Sequence, residues 1–508
     1  MIYNIQLPSV GFLFLVLTPG TRWSVFLGVE IDVRLKLYHR GDSPFDDRFK
    51  LQVPVGIYLR LLSALGSMGL GDVFEPESIA VVGASATQRK LGNDAMANVK
   101  EFDGQVYPVN PSEDGEIYGY EVVDSIEQTD ADLALCCVPA SVTPDVLADC
   151  GAAGVGAAVI FAGGFAEASD AGQELQQSVR ETAERYDITI IGPNTAGHIL
   201  PQENLYASFV PGFEAVEAGE VAVLAQSGGI GVTATFQLDR EGYGVSGMFG
   251  LGNRVNTDFD DVIPKLDKDP STKAIALNIE GTPKKEKLIQ AVDAAETPIT
   301  VFKSGNRADE FVRAHTASPV QRYEEYEDPL IEAGAILVHS MTKLLDASRV
   351  LAKSPVPDGS NVGMVTAQAG PGIMMADYLK EQDVTFPTLQ SSTNDRLQDL
   401  LPGFTYDDNP VDTGRPMPEF GDVIDTVARD ENIDIVLAYE IFEHSLGYPV
   451  GELRQLTDDV DKPIIFTVAG PDEALTQDRQ RMEDAGVVTY DSPERGAFAT
   501  SVLTDSVR

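Results

Sequence analysis

The sequence predicts an α/β protein in which helices cover both faces of doubly wound parallel sheets. Three observations lead to this fold class. From Ser78 onward, short apolar runs alternate with amphipathic stretches, which is the pattern of βα units. Almost every apolar run ends in small or turn-forming residues, and similar landmarks recur later in the chain. Ligands of such folds bind outside the carboxyl ends of the strands, so candidate functional residues are sought there.

The first block of the pattern predicts five strands, at residues 79–82, 106–109, 133–138, 157–161 and 189–191. Each of these strands runs into residues suited to a turn. In order they are Gly83-Ala84-Ser85, Asn110-Pro111, Pro139, Ala162-Gly163-Gly164-Phe165 and Gly192-Pro193-Asn194.

Two further blocks follow with matching landmarks. The second predicts strands at 221–224, 274–279 and 298–302, and the third at 362–366, 433–439 and 462–466. In both blocks the first strand leads into a glycine-containing turn and then a helical stretch, at 226–231 and at 367–372. A segment rich in proline and glycine, 354–359, separates the two blocks and is suited to a linker.

The second and third blocks are predicted to be an internal duplication. Residues 332–351 align with 484–503 at a constant offset of 152, and six aligned pairs are identical. Two such domains can face each other across a pseudo-two-fold axis.

The first seventy residues do not share the pattern. They carry seven basic and five acidic residues, whereas the remaining chain carries a net charge of −44. We therefore treat residues 1–69 as an atypical extension. It could be a small extra module, a membrane or export signal, or sequence upstream of the true start. The last interpretation is favoured, with Met68 as the initiator.

The charge of the whole chain excludes several classes of partner. Lys plus Arg number 37 and Asp plus Glu number 79, for a formal net charge of −42. Such a chain is repelled by nucleic-acid phosphates and by anionic membrane surfaces, so neither is expected as a partner. Because the acidic residues are dispersed, the composition is also typical of a protein from a high-salt cytoplasm, and a halophilic archaeon is the expected source.

The cysteines indicate a reducing compartment. Cys136, Cys137 and Cys150 lie in one apolar stretch and cannot build a disulfide framework. A cytoplasmic location is expected, with the three thiols buried and reduced.

Histidine is the first candidate for chemistry, since it titrates near neutrality and can act as a nucleophile. Of the five histidines, His315 stands out because it lies among small residues after a strand-end loop and has no counterpart in the third block. His198 follows the loop at 192–197 and could contact a ligand. His339 and His444 are better explained as surface or structural residues. Spacing alone leaves a structural role open for His315 as well.

Two glycine-containing loops could bind anions. Gly83-Ala84-Ser85 could present backbone N–H groups to a phosphate, although it is not a full G-x-G-x-x-G motif. A dinucleotide site would also need an acidic residue at the end of the second strand, where Asn110 stands instead. The loop 226–231 is the better anion cradle, although close strand–helix packing would also explain its glycines. The chain contains no Walker loop and no metal-ligand motif with Cys/His spacing, so no metal is predicted.

From about residue 70 to its end, the chain resembles the α subunit of NDP-forming acyl-CoA synthetases. The resemblance is chiefly to the ADP-forming acetate–CoA ligases of archaea, and more distantly to succinyl-CoA synthetase α. The strings that carry it occur in family order: IAVVGAS, VYPVNP, VPA, GGFAE, GPNTAG, QSGG, GLGN, DPSTKAIALNIEG, FKSGN and AHTAS.

The resemblance implies a domain organisation and a ligand for each domain. It implies a Rossmann-like CoA-binding domain at 70–203, followed by two flavodoxin-like, succinyl-CoA synthetase-like domains at 204–354 and 360–508. Coenzyme A would lie along the strand-end loops of the first of these. The residues implied for the CoA site are Gly83, Ala84, Ser85, Lys90, Asn110, Val138, Pro139, Gly164, Phe165, Glu167 and Asn194.

The resemblance also implies a phosphohistidine enzyme. His315 would carry the phosphoryl group, and Glu280 would hold its imidazole in the reactive tautomer. The phosphoryl group would be bound by Ser227, Gly228, Gly229, Gly252 and Asn253. Acyl-CoA, phosphate and ADP would be converted to acid, CoA and ATP, with ATP or ADP and Mg²⁺ bound by a separate ATP-grasp β subunit in a hetero-oligomer.

The chain departs from the family at one position near His315, and two other functions are also considered. Ala317 stands where family members usually have glycine after His-Thr, so the loop geometry could differ. A non-catalytic CoA- or acyl-CoA-binding regulator of the same fold is the main alternative, and an NAD-linked oxidoreductase is a weaker one. The acyl group cannot be identified from the sequence.

Overall fold

A computed structural model describes residues 2–7, 10–16, 28–37, 45–54, 68–305, 325–403 and 405–507 of the chain. The chain divides into two compact units, Met1–Asp72 and Val73–Arg508. The first unit contains an antiparallel sheet in the order β2-β1-β3-β4. Its strands are β1 (Ile2–Leu7), β2 (Val10–Val16), β3 (Gly28–Leu37) and β4 (Phe45–Pro54). The helix α1 (Met68–Phe74) follows.

The first sheet of the second unit has five parallel strands in the order β11-β10-β9-β5-β6. They are β5 (Ser78–Val82), β6 (Gln105–Val109), β9 (Leu133–Cys136), β10 (Ala157–Ile160) and β11 (Thr189–Ile191). All five predicted strands are present, with ends that differ by at most two residues. A short hairpin, β7 (Glu116–Ile117) and β8 (Tyr120–Glu121), lies between β6 and β9.

The helices of this domain are α2 (Leu91–Val99), α3 (Thr143–Ala153) and α4 (Asp170–Tyr186). Local sequence fixes where α4 begins and where α3 ends. The Ser169 side chain accepts a hydrogen bond from the Gly172 backbone N–H and caps α4. Gly154 ends α3 with φ of +94°, a backbone conformation that favours glycine. Short 3₁₀ turns lie at Ile126–Gln128 and Ala140–Val142.

The second sheet has the order β13-β12-β15-β14-β16-β17-β18. Its strands are β12 (His198–Leu200), β13 (Leu205–Ala207), β14 (Ala218–Ala225), β15 (Val245–Gly250), β16 (Ala274–Ile279), β17 (Ile299–Lys303) and β18 (Ile336–Val338). Its helices are α5 (Gly228–Arg240), α6 (Phe259–Leu266), α7 (Lys285–Asp293), α8 (Glu327–Glu332) and α9 (Met341–Lys353). Further 3₁₀ turns lie at Pro201–Glu203 and Phe213–Ala215.

The second sheet includes residues on both sides of the expected domain boundary at 203/204. The strand β12, which lies within the expected first domain 70–203, pairs antiparallel with β15. The antiparallel pair β12–β13 extends the sheet beyond its parallel strands.

The third sheet has the order β20-β19-β21-β22-β23. Its strands are β19 (Val362–Thr366), β20 (Val411–Asp412), β21 (Ile435–Ile441), β22 (Ile464–Ala469) and β23 (Val488–Tyr490). Its helices are α10 (Ala369–Glu381), α11 (Ser391–Leu400), α12 (Phe420–Ala428), α13 (Val450–Asp459), α14 (Asp472–Glu483) and α15 (Pro493–Asp505).

The second and third sheets repeat each other strand by strand. The order β15-β14-β16-β17-β18 matches β20-β19-β21-β22-β23, which is the flavodoxin-like order 2-1-3-4-5. β18 and α9 reappear as β23 and α15 at the same offset of 152 that the sequence alignment gives. The helices α9 and α15 of the two copies share one apolar core with both sheets.

Candidate functional site

The first candidate loop lies at the carboxyl edge of the first sheet, where strand order reverses between β5 and β9. Gly83 follows β5 with φ of +88°, and a Cβ atom there would lie 2.6 Å from the Cys137 carbonyl oxygen. A Cβ on Gly92 in α2 would lie only 2.0 Å from the Gly83 carbonyl oxygen. Only glycine therefore lets the β5 loop, the β9 loop and the first turn of α2 approach this closely.

The predicted CoA residues of this loop are held by neighbouring polar groups. The Asn110 side-chain amide donates to the Ala84 carbonyl oxygen at 2.7 Å. The Ser85 hydroxyl donates to the Glu113 carboxylate at 2.7 Å, and the Asn93 amide donates to the Ser85 carbonyl. Asn110 therefore stabilises the loop through its side-chain amide. It stands where a dinucleotide site would need an acidic residue.

The remaining first-sheet candidates lie at the same edge. Lys90 is exposed and stands at the N-cap of α2, the helix that begins beside Gly83. Pro139 is exposed and Val138 is partly buried after β9. Asn194, after β11, is exposed with φ of +60°. The structure thus brings the predicted residues of this sheet to one edge.

Glu167 connects the first domain to the second. Its carboxylate accepts hydrogen bonds from the backbone N–H groups of Gly164 (2.6 Å) and Phe165 (3.1 Å) and from the Asn253 side-chain amide (2.6 Å). Burial acts to raise the pKa of this carboxyl, but the bonds from Asn253 and the backbone outweigh burial and lower it. The ionised Glu167 carboxylate therefore links the 163–167 loop to the loop at Gly252-Asn253. A Cβ on Gly252 would lie 2.2 Å from the Pro193 carbonyl oxygen, so a third loop meets them there.

The second candidate site lies at the carboxyl edge of the second sheet. Ser227 caps α5, and its hydroxyl accepts from the Ile230 backbone N–H at 3.5 Å. Gly229 is exposed, and a Cβ atom there would meet only the Ser227 hydroxyl at 3.9 Å. Gly228 packs against Ala196. The first turn of α5 therefore presents free space and backbone N–H groups, as an anion site at a helix N-terminus requires.

Gln226 fixes the loop after β16 to this helix. Its side-chain oxygen accepts from the backbone N–H groups of Glu280 (2.9 Å) and Gly281 (3.1 Å). The Arg254 guanidinium donates to the Gly281 carbonyl oxygen at 2.9 Å from the other side. The Glu280–Gly281 peptide is thus held from both sides beside the start of α5.

Two buried cations act on Glu280. Arg254 is 8% exposed and forms an ion pair with Asp258 at 3.1 Å, and Lys303 is 2% exposed at the end of β17. Burial raises the pKa of the Glu280 carboxyl, while the positive charges of Arg254 and Lys303 act to lower it. Burial lowers the pKa of the Lys303 ammonium, while Glu280 and Glu325 act to raise it.

Gly305 and Glu325 are the described residues on either side of the segment that carries His315. The Lys303 Nζ atom lies 5.9 Å from the centroid of the Tyr326 ring, so the described residues that flank this segment lie close together. His315 and Ala317 themselves lie outside the described residues.

His198 does not face a ligand edge. It is fully buried, its Nε2 atom lies 2.8 Å from the Val73 carbonyl oxygen, and its ring stacks on Phe249. Burial lowers the pKa of this imidazole to about 4, while the contact with the Val73 carbonyl acts to raise it. The expectation that it could contact a ligand is wrong, because β12 carries it into the second sheet.

Sequence reasoning missed Arg254, Lys303 and Gln226 as site residues. Two signals were present: Arg254 directly follows the GLGN string, and Lys303 stands at a strand end in a chain with few basic residues. Neither signal tells that the side chain is buried, because that depends on distant parts of the chain.

The third sheet carries an unusual acid at its own carboxyl edge. Glu440 is 2% exposed, and within the described residues its Oε2 atom has no hydrogen-bond partner. The nearby Tyr448 hydroxyl is likewise buried without a partner there. Burial raises the pKa of Glu440 to about 8.

A search for membrane-spanning helices over the described ranges finds none with the length and apolar character required.

Two family models match the chain. Residues 77–201 match a CoA binding domain, and residues 218–351 match the succinyl-CoA ligase like flavodoxin domain. The first match covers the Gly83 loop and Glu167, and the second covers Ser227, Glu280 and His315.

Relatives and solved structures agree with these matches. The α subunit of the ADP-forming acetate–CoA ligase II of Pyrococcus furiosus is 29% identical over 86% of this chain and 97% of its own length. The ADP-forming acetate–CoA ligase I of Archaeoglobus fulgidus is 31% identical over 85% of this chain, which spans 63% of that protein. A dinucleotide-forming acetyl-coenzyme A synthetase 1 of Candidatus Korarchaeum cryptofilum, solved with phosphate and ADP, superposes with a TM-score of 0.80 at 26% identity, over 86% of this chain and 97% of that one.

Proposed function

The chain is a homologue of the α subunits of ADP-forming acetate–CoA ligases, and on that premise we propose that it is the α subunit of an ADP-forming acyl-CoA synthetase. The proposed reaction converts acyl-CoA, phosphate and ADP into a carboxylic acid, CoA and ATP. The observation that carries the proposal is the cluster at the start of α5, where Glu280 lies beside an open helix N-terminus.

The proposed role of the cluster is to receive a phosphoryl group on His315. Imidazole is nucleophilic at neutral pH and is a good leaving group once phosphorylated. A carboxylate beside it can hold the proton-bearing nitrogen and stabilise the imidazolium, as Glu280 would. Lys303, just before the His315 segment, pairs with Ile279 across β16 and β17 and lies near Tyr326, just after the segment, which supports this assignment.

The phosphoryl group itself would lie against the first turn of α5. The backbone N–H groups of Gly228 and Gly229 belong to the N-terminus of α5, where the helix dipole favours negative charge. Asn253, held by Glu167 and by Gln176 at 2.8 Å, would border the same space. Phosphoryl transfer requires mainly positioning and charge stabilisation, and this cluster offers both.

Three balanced steps make up the proposed reaction. A phosphate oxygen attacks the thioester carbonyl, the carbon–sulfur bond breaks, and acyl phosphate and the CoA thiol are formed. A His315 ring nitrogen then attacks phosphorus, and the carboxylate leaves. The phosphohistidine finally passes its phosphoryl group to ADP.

Coenzyme A would bind along the carboxyl edge of the first sheet. The close approach at Gly83 and the exposed Lys90 at the start of α2 fit a ligand that carries phosphates. We propose that nucleotide and Mg²⁺ bind to a separate ATP-grasp β subunit, since the Pyrococcus relatives that the chain matches over 97% of their length are named as α subunits. A cytoplasmic location is proposed on the reduced thiols, and the acyl group is left open.

The proposal is tested with the complex of this chain and its ATP-grasp subunit. ATP labelled in the γ position and Mg²⁺ should yield acid-labile phosphate on His315, and His315→Ala should abolish it. Glu280→Gln should slow labelling by about 10² or more, because the carboxylate no longer orients the ring. Glu286→Gln, an exposed acid on α7, is the matched control and should label at the wild-type rate.

The outcomes separate the enzyme from the non-catalytic regulator. A wild-type complex that takes up no label contradicts the catalytic role and favours a CoA- or acyl-CoA-binding regulator. Label that survives His315→Ala would assign the phosphoryl group to another residue.

A further inference from the structure

We propose that Lys303 and Arg254 are positioning residues that hold the Glu280 carboxylate between two positive charges. The inference rests on the proposed role of Glu280 in phosphoryl transfer and extends it to two residues that the motifs did not single out.

Lys303 is an expensive residue to bury. Its side chain is 2% exposed at the end of β17, and its ammonium donates to the Ser304 carbonyl oxygen at 2.9 Å. An ammonium group removed from water needs a nearby negative charge to remain protonated. Glu280 and Glu325 are the acids that act on it in this way. Lys303 also pairs with Ile279 across β16 and β17, which places it beside the residue before Glu280.

Arg254 binds the residue that follows Glu280. It is 8% exposed and has φ of +54°, a left-handed conformation that is costly for a residue with a side chain. Its guanidinium binds both the Asp258 carboxylate at 3.1 Å and the Gly281 carbonyl oxygen at 2.9 Å. One side chain thus fixes the peptide after Glu280 and places a positive charge near the carboxylate.

The two cations oppose the effect of burial on Glu280. Burial alone favours the neutral carboxylic acid, and the positive charges favour the carboxylate. The acidic groups that face Lys303 and Arg254 are Glu280, Glu325 and Asp258. Removal of the Lys303 charge should therefore raise the pKa of Glu280, so that a higher pH is needed to form the carboxylate.

The experiment follows the pH dependence of His315 labelling in the complex with the ATP-grasp subunit. For Lys303→Met we expect the labelling rate to fall about tenfold below wild type on the acid side, near pH 6, and to approach wild type near pH 9. Lys303→Arg should restore most of the wild-type profile because it keeps the charge. Lys462→Met is the matched control, since the Lys462 ammonium also donates to backbone carbonyls, of Ala428 and Asp430, but in the third domain.

Two further variants keep the result interpretable. Arg254→Gln should also move the acid side of the pH–rate profile to higher pH. This variant tests the proposal if Lys303→Met does not fold. In a Glu280→Gln background, Lys303→Met should cause no further displacement of the limb.

Each outcome bears on one proposal only. An equal loss at every pH, or a displacement that persists in the Glu280→Gln background, would overturn the positioning role while leaving His315 labelling intact. A wild-type complex without label would instead contradict the proposed function itself.

Discussion

The second and third sheets have the same strand order, yet the acids at their carboxyl edges lie in different electrostatic surroundings. Glu280 has two buried cations beside it. Burial also raises the pKa of Glu440, and its Oε2 atom has no hydrogen-bond partner among the described residues. In one copy positive charges thus oppose the effect of burial on the acid, and in the other burial acts without such charges.

The two acids do not occupy equivalent positions. The Gln226 backbone N–H donates to the Asn278 carbonyl, and the corresponding bond in the third sheet joins Ala367 to Tyr439. Counted from these bonds, Glu440 takes the place of Ile279, which points into the core. The position of Glu280 is taken by Ile441, which is 43% exposed. The two copies share one strand order, but the cations Arg254 and Lys303 act on the acid of the second sheet and not on that of the third.

The copies are joined at a buried arginine. Arg349 of α9 is 1% exposed, and its guanidinium lies 3.6 Å from the centroid of the Tyr243 ring and 4.5 Å from that of Tyr490. It forms ion pairs with Glu241 at 3.2 Å and Glu483 at 3.6 Å. These partners come from both copies, so Arg349 joins the duplicated domains in addition to the apolar core that they share.

The largest expected effect comes from breaking that junction. Arg349→Met leaves the Glu483 carboxylate, which is 10% exposed, without its ion-pair partner, and we expect the free energy of unfolding to fall by about 3–5 kcal/mol. Glu241 and Asp346 keep ion pairs with Arg495 in this variant. Chemical denaturation measures the change. Arg429→Met is the control, because Arg429 pairs with Asp425 and Asp459 on the surface and should cost at most about 1 kcal/mol. Equal losses for the two variants would show that Arg349 does not carry the junction.

The next effect concerns the acid of the third sheet. With a pKa of about 8 in the folded chain and an ordinary value when unfolded, Glu440 binds a proton more tightly in the folded state. Its contribution to stability is therefore complete at acidic pH and is lost as pH rises toward 8, by at most about 1.4 kcal/mol per pH unit.

Glu440→Gln removes this titration. We expect the stability of the variant relative to wild type to improve between pH 5 and pH 8 and to level off above pH 8, as measured by denaturation at each pH. His315 labelling should keep its rate, because Glu440 is not placed in the phosphoryl site. If the difference in unfolding free energy between the variant and wild type does not change with pH, Glu440 is not a neutral acid in the folded chain.

Much of this architecture follows from the sequence. The apolar runs predict the buried parallel strands, and the offset of 152 locates β18 and α9 against β23 and α15. The strand β15 (Val245–Gly250) is not predicted, because Ser246 and Gly247 interrupt its apolar run. In residues 1–69 no strand period was recognised, yet four strands are described there.

The site was predicted less completely than the fold. Glu280 and Ser227 stand at strand ends, where position along the chain indicates function. Arg254 and Lys303 were missed because a charged residue in an acidic chain is normally solvated. Their burial arises from the packing of β16, β17 and the loop after β15, which are far apart in sequence. The His315 assignment, which lies outside the described residues, stays a prediction.

The smallest expected effect compares the aligned serines that begin α9 and α15. The Ser340 hydroxyl accepts a hydrogen bond from the Lys343 backbone N–H at 3.3 Å, whereas Ser492 makes no capping bond and is followed by Pro493. Ser340→Ala should therefore cost about 1 kcal/mol of unfolding free energy. Ser492→Ala should cost only a few tenths, because proline at the first helical position already fixes the entry of the chain and has no N–H to satisfy. Denaturation of the two variants side by side measures the difference, and equal losses would show that the two copies cap these helices alike.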